Sequence, residues 1–189
     1  MKKYGNDYRQ NGKQFEYTGK WYEGKLSADQ LKKHSVLYTG FMIAVLLVYA
    51  ASLMLNNAGN RVLWILLPYI VMIFPISYGI MGGVSLVRFC QRKNRGEKSQ
   101  VLIPKEHADH MTRAEYEKGI RRTARSSVAV AGLSLFACLA NLILIVRGNG
   151  NQTLGADILF EIAAVTILVL GSVTTAQSWQ IKAKFTIFG

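Results

Sequence analysis

An all-α integral membrane protein, with four transmembrane helices arranged as two helical hairpins, is the fold class this sequence predicts. Three observations carry it. Four long runs, at 35–55, 62–87, 126–146 and 154–176, are apolar all round, and only Asp157 and Glu161 in the last are charged. All but two of the 23 Lys and Arg lie in segments that share one side if each run crosses once. The two links on the other side are short turns rich in Asn and Gly.

A helical crossing needs roughly 20 mainly apolar residues, because no shorter helix satisfies its own backbone across the hydrocarbon. A water-soluble bundle would instead show a polar stripe recurring every third or fourth residue. Basic residues near crossings are retained in the cytoplasm. Residues 1–34 carry eight Lys and Arg, 88–125 carry eleven, and the tail carries Lys182 and Lys184. Arg61 and Arg147 alone fall in the opposite links. The chain therefore reads as a cytoplasmic N-terminal segment (1–34), a first transmembrane hairpin (35–87), a cytoplasmic basic linker with a short helix (88–125), a second transmembrane hairpin (126–176) and a cytoplasmic tail (177–189). The plasma membrane is the expected location. The 34 mostly polar residues before the first run argue against a cleaved signal peptide.

Trp64 opens the second run, and Tyr38 and Trp179 stand near the opposite ends, as aromatic residues at headgroup level would. The formal charge of +12 then reflects attraction to anionic lipid headgroups at the cytoplasmic face rather than nucleic-acid binding. Cys90 and Cys138 are too few for a disulfide framework and read as small apolar residues.

The hairpins look like one plan used twice. Ser27 with Gln30, and Thr112 with Glu115, have capping-box spacing, so a short interfacial helix is expected to precede each pair of crossings. Residues 15–22 place Gly19 between aromatic residues and suggest a β-hairpin. Val101 to Ile103 and Phe185 to Phe188 are also strand-like. Two readings stand for these segments: a small cytoplasmic β patch, or amphipathic stretches lying on lipid. Residues 1–13 are polar and read as mobile.

Helices in lipid associate through small and polar residues, so these mark inward faces. Ser127, Ala131, Ser134, Cys138 and Asn141 make such a stripe. Asp157, Glu161, Ala164, Leu168, Gly171 and Thr175 make another, expected to face the first. Gly79 and Gly83 give the second crossing a close-packing motif. Pro68 and Pro75, on nearly one face, predict a kink or hinge there.

Asp157 and Glu161 are the sharpest site candidates, because intramembrane carboxylates are costly and usually partnered. Antiparallel pairing brings Asn141 to their depth and Arg147 and Arg61 close to Asp157. The structural expectation is that an Arg neutralises Asp157 while Asn141 or a tyrosine holds Glu161. The functional expectation is a cation or proton site. The sequence from His107 to His110 lacks a third strong metal ligand, and no phosphate loop, nucleophile elbow or cysteine cluster is present. No catalytic residue, metal or cofactor is expected. The expected function is a non-enzymatic subunit, scaffold or accessory of a larger membrane assembly, partnered by the bilayer and by another protein or further copies of itself. The alternative is a small cation- or proton-coupled transporter or channel using Glu161 and Asp157.

Overall fold

The computed structural model describes residues 7–11, 14–95, 101–102, 110–147 and 154–188. Strands β1 (Tyr8–Asn11), β2 (Gln14–Tyr17) and β3 (Trp21–Gly24) precede α1 (Ala28–Leu53). The second long helical segment comprises α2 (Leu63–Val71) and α3 (Ile73–Arg95), and is followed by β4 (Val101–Leu102) and β5 (Met111–Thr112). A third segment runs from α4 (Arg113–Tyr116) through a π-helical turn (Glu117–Arg121) into α5 (Arg122–Val146). Helix α6 (Leu154–Ala183) and β6 (Phe185–Phe188) complete the chain. Four helical stretches, Ala28–Leu53, Leu63–Arg92, Arg113–Val146 and Leu154–Ala183, are long and apolar enough to cross a membrane.

Both capping boxes form. Ser27 Oγ accepts from the Gln30 N–H and Thr112 Oγ1 from the Glu115 N–H, and each N3 side chain reaches back to the cap backbone. The first box opens a helix that continues into its long apolar stretch without a break, and the second opens one that does so through the π-helical turn. No Pro or Gly lies between Ser27 and Thr39, so nothing in that part of α1 ends the helix where an interfacial segment would have to stop.

The buried positions repeat with heptad spacing, which is how packed helices keep one seam in contact. In α1 they are Leu31, Ser35, Tyr38, Met42, Val45, Tyr49 and Ser52. In α6 they are Asp157, Phe160, Ala164, Ile167, Gly171, Thr174, Ser178 and Ile181. The bundle closes as a ring: α1 packs on α3 and α6, and α5 on α6 and α3. Its outer surface is apolar, with Leu47 66% and Phe74 70% exposed, which suits a surrounding of lipid.

Gly171 lets α6 approach α5 closely: a Cβ there would lie 3.2 Å from the Ala131 nitrogen and 3.3 Å from its Cα. Gly79 does the same for α3 against α1, since its Cβ would sit 2.6 Å from Met42 Cε and 2.9 Å from the Tyr38 hydroxyl. Gly83 is pressed against Thr39. The second long helical segment breaks at Met72, between α2 and α3. Pro75 has no N–H to return to the Val71 carbonyl, which explains a break there, whereas Pro68 lies inside α2. The Met72 N–H still bonds the Pro68 carbonyl at 3.2 Å, so the chain resumes helix at once.

A second apolar core lies at the end of the bundle that carries the strands. Leu31, Leu86, Cys90, Met111, Ile120 and Ile181 pack together there, flanked by Tyr22, Tyr116 and Phe185. Two three-stranded sheets accompany it, ordered β1-β2-β4 and β5-β3-β6. The hairpin expected at 15–22 does not form. Phe15 pairs with Gln10 and Val101, whereas Trp21 pairs with Thr112 and Phe188 in the other sheet. The physical reason is Tyr17, whose hydroxyl donates to the Lys20 carbonyl at 2.8 Å, accepts the Arg113 N–H at 2.9 Å and so turns the chain from one sheet to the next. Burial pushes the Tyr17 phenol pKa above its ordinary value. Tyr8 to Asn11, expected to be mobile, is a strand because β2 offers it a partner; the rest of 1–13, apart from Asp7, lies outside the described residues.

Candidate functional site

At the opposite end, the link between α1 and α2 folds into the mouth of the bundle. Asn57, Ala58 and Gly59 are buried, and Gly59 opens a 3-10 turn to Arg61. Gly59 leaves little room, since a Cβ there would lie 3.3 Å from Asn57 Nδ2 and 3.7 Å from Asn141 Oδ1. Ala58, Ile65, Ala140 and Leu144 form an apolar collar around this point.

Within the collar, Asp157 Oδ1 accepts the Ala58 N–H at 2.7 Å. Asp157 sits in the first turn of α6, where the helix dipole favours negative charge, and it is 4% exposed. Asn141 of α5 is fully buried, and its Nδ2 donates to the Asp157 carbonyl at 3.0 Å and to Glu161 Oε2 at 2.9 Å. Asn141 Oδ1 has no hydrogen-bond partner among the described residues. Asp157, Asn141 and Glu161 are therefore brought together, with Glu161 only half-buried.

The two arginines are not brought in. Arg61 is exposed and donates through Nη2 to Asn56 Oδ1 at 3.2 Å, while Arg147 is exposed and caps α5 through its backbone N–H. The expected guanidinium on Asp157 is replaced by a main-chain amide. That bond satisfies one carboxylate oxygen with a charge-assisted donor.

Tyr38 requires a further correction. It does not face the lipid surface but is 2% exposed in the core, where its hydroxyl lies 2.9 Å from Ser126 Oγ and donates to the Thr123 carbonyl at 3.1 Å. Tyr69 likewise bonds Ser52, and Ser127 meets Ser178 at 3.0 Å. These tyrosine links between helices escaped sequence reasoning; the available signal was their heptad spacing with buried neighbours. The expected inward stripe on α5 does place Ser127, Ser134, Cys138 and Asn141 in the interior. Cys90 and Cys138 are both buried.

Residues His107 to Asp109 lie outside the described residues, and His110 lines a hollow beside Tyr22 and Met111. Among the described residues, no three His, Cys, Asp or Glu side chains are grouped as metal ligands. Comparison with protein-family models, curated proteins and solved structures finds no match.

Proposed function

We propose that this chain is a four-span plasma-membrane protein, built as two hairpins, that serves without catalysis of its own as a subunit, scaffold or accessory of a larger membrane assembly. Both termini and the 88–125 connection face the cytoplasm in this reading, and the basic end is attracted to anionic lipid headgroups. Its partner is a second protein or further copies of the chain, and nucleic acid plays no part.

The supporting observation is the asymmetry of the two ends. At one end the link between α1 and α2 folds into the bundle, whereas at the other the helices continue into a second apolar core flanked by two small sheets. From Leu63 to Arg95 the second helical segment is about 48 Å long, well beyond a hydrocarbon core of about 30 Å. The excess forms a platform outside the bilayer, suited to holding another protein. The carboxylate node favours a latch over a carrier, because Asp157 holds the link between α1 and α2 and Asn141 Nδ2 is engaged within the bundle.

The test is capture of the tagged full-length chain from its own membrane in mild detergent, followed by size exclusion. A partner or further copies at fixed stoichiometry is the expected result. A monodisperse single chain that retains neither would remove the proposal.

A further inference from the structure

Between α3 and α5, an open groove of about 480 Å³ is walled by Phe74, Pro75, Tyr78, Met81 and Ala129, with Arg125 also lining it. Its walls are almost wholly apolar, and Met81 is 58% exposed, so the groove opens towards lipid. The stretch from Leu63 to Gly82 measures about 28 Å, close to the thickness of the hydrocarbon. Gly82 abuts the next helix, since a Cβ there would lie 3.1 Å from Arg122 Cγ. Arg122 and Arg125 therefore stand where hydrocarbon gives way to phosphate.

The charge at this level is uncompensated. The Arg122 guanidinium lies 4.1 Å from the Tyr78 ring centroid, and its Nε is buried with no hydrogen-bond partner among the described residues. Arg125 is exposed and also lines a hollow of about 290 Å³ on the α6 side, with Arg121, Trp179 and Lys182. Arg121 is paired with Glu117, but Arg122, Arg125 and Lys182 form no ion pair among the described residues. Lys182 Nζ lies 4.4 Å from the Trp179 ring centroid, an aromatic partner typical of the headgroup level.

We propose that this is a binding site for one anionic phospholipid, with an acyl chain in the Phe74 to Ala129 groove and the phosphate held by Arg122 and Arg125. An apolar groove is complementary to hydrocarbon, and a pair of guanidinium groups at its mouth is complementary to phosphate. Lys182 adds to the field without touching the groove. This inference needs only a bundle embedded in lipid and stands apart from the scaffold reading. It narrows a surface-wide attraction to one place.

The test is native mass spectrometry of the full-length chain in detergent, supplied with phosphatidylglycerol or phosphatidylcholine. One phosphatidylglycerol should be retained in clear preference. The Arg122→Gln/Arg125→Gln variant should weaken that retention about 25-fold, from roughly fivefold per cation. The Lys32→Gln/Lys33→Gln variant, which removes two cations elsewhere at the same end, should leave it unchanged. Equal losses in the two variants, or no loss in the first, would overturn the site in favour of general adsorption. If the arginine variant does not fold, a phosphatidylglycerol with a photoactivatable acyl chain decides the matter in the parent protein. Crosslinks at Phe74 to Met81 and Ala129 support the site, and crosslinks spread evenly over the lipid-facing side of α1 overturn it.

Discussion

Asp157 is held by an atom that leaves no trace in a sequence, the backbone N–H of Ala58. Removing the carboxylate strands that buried donor and deletes a charge-assisted bond. Asp157→Ala should therefore destabilise the bundle by about 2 kcal/mol. Asp157→Asn keeps an acceptor at the same place and should cost about half as much. Ser127→Ala provides the scale, because Ser127 Oγ also bonds the Thr123 carbonyl of its own helix and interhelical bonds in lipid average about 0.6 kcal/mol. Unfolding in mixed detergent micelles would measure all three, and a Ser127→Ala loss equal to that of Asp157→Ala would refute the latch. The carboxylates and Asn141 were legible because polar side chains in an apolar run are conspicuous. Their arginine partners were inferred from charge balance, which cannot see a main-chain donor.

At the scale of the helix, the seam of α6 shows where pattern reasoning slips. The small and polar residues pointed to Asp157, Glu161, Ala164, Leu168, Gly171 and Thr175, whereas the buried set replaces Glu161, Leu168 and Thr175 by Phe160, Ile167 and Thr174. In lipid both faces of a helix are apolar, so nothing in composition separates an inward Ile167 from an outward Val169. The glycines were more informative, because close approach has a steric signature. Gly171→Val would drive a branched side chain into the backbone of Ala131, and no rotamer relieves a backbone clash. A loss of about 2 kcal/mol or more is expected, with weakened association of α5 and α6. Gly132→Ala, where no atom lies within 4 Å of the added Cβ, should be neutral or stabilise by up to about 1 kcal/mol. Thermal unfolding in detergent compares them directly. Similar melting shifts in both variants would mean that Gly171 does not set the helix spacing.

For the whole molecule, the four helices and the polarity of their ends were legible because the bilayer imposes length and charge rules on any chain that crosses it. The strands at the other end were legible in part, at Val101–Leu102 and Phe185–Phe188, but their pairing was not, because they are short and joined across long sequence distances, as Trp21 is with Phe188. The proposed orientation rests on the strands and the charge together, since most Lys and Arg lie at the end that also carries the strands. Moving that end across a membrane would carry many charges through hydrocarbon, whereas the Asn56 to Arg61 link carries one. Cys90 and Cys138 are buried, so a cysteine introduced at an exposed position dominates labelling by an impermeant thiol reagent. Asn56→Cys should react in intact cells, and Thr18→Cys, exposed at the platform end, only after permeabilisation. The reverse pattern would place the platform outside the cell, and the scaffold reading would fall with the orientation because a cytoplasmic partner could no longer reach it.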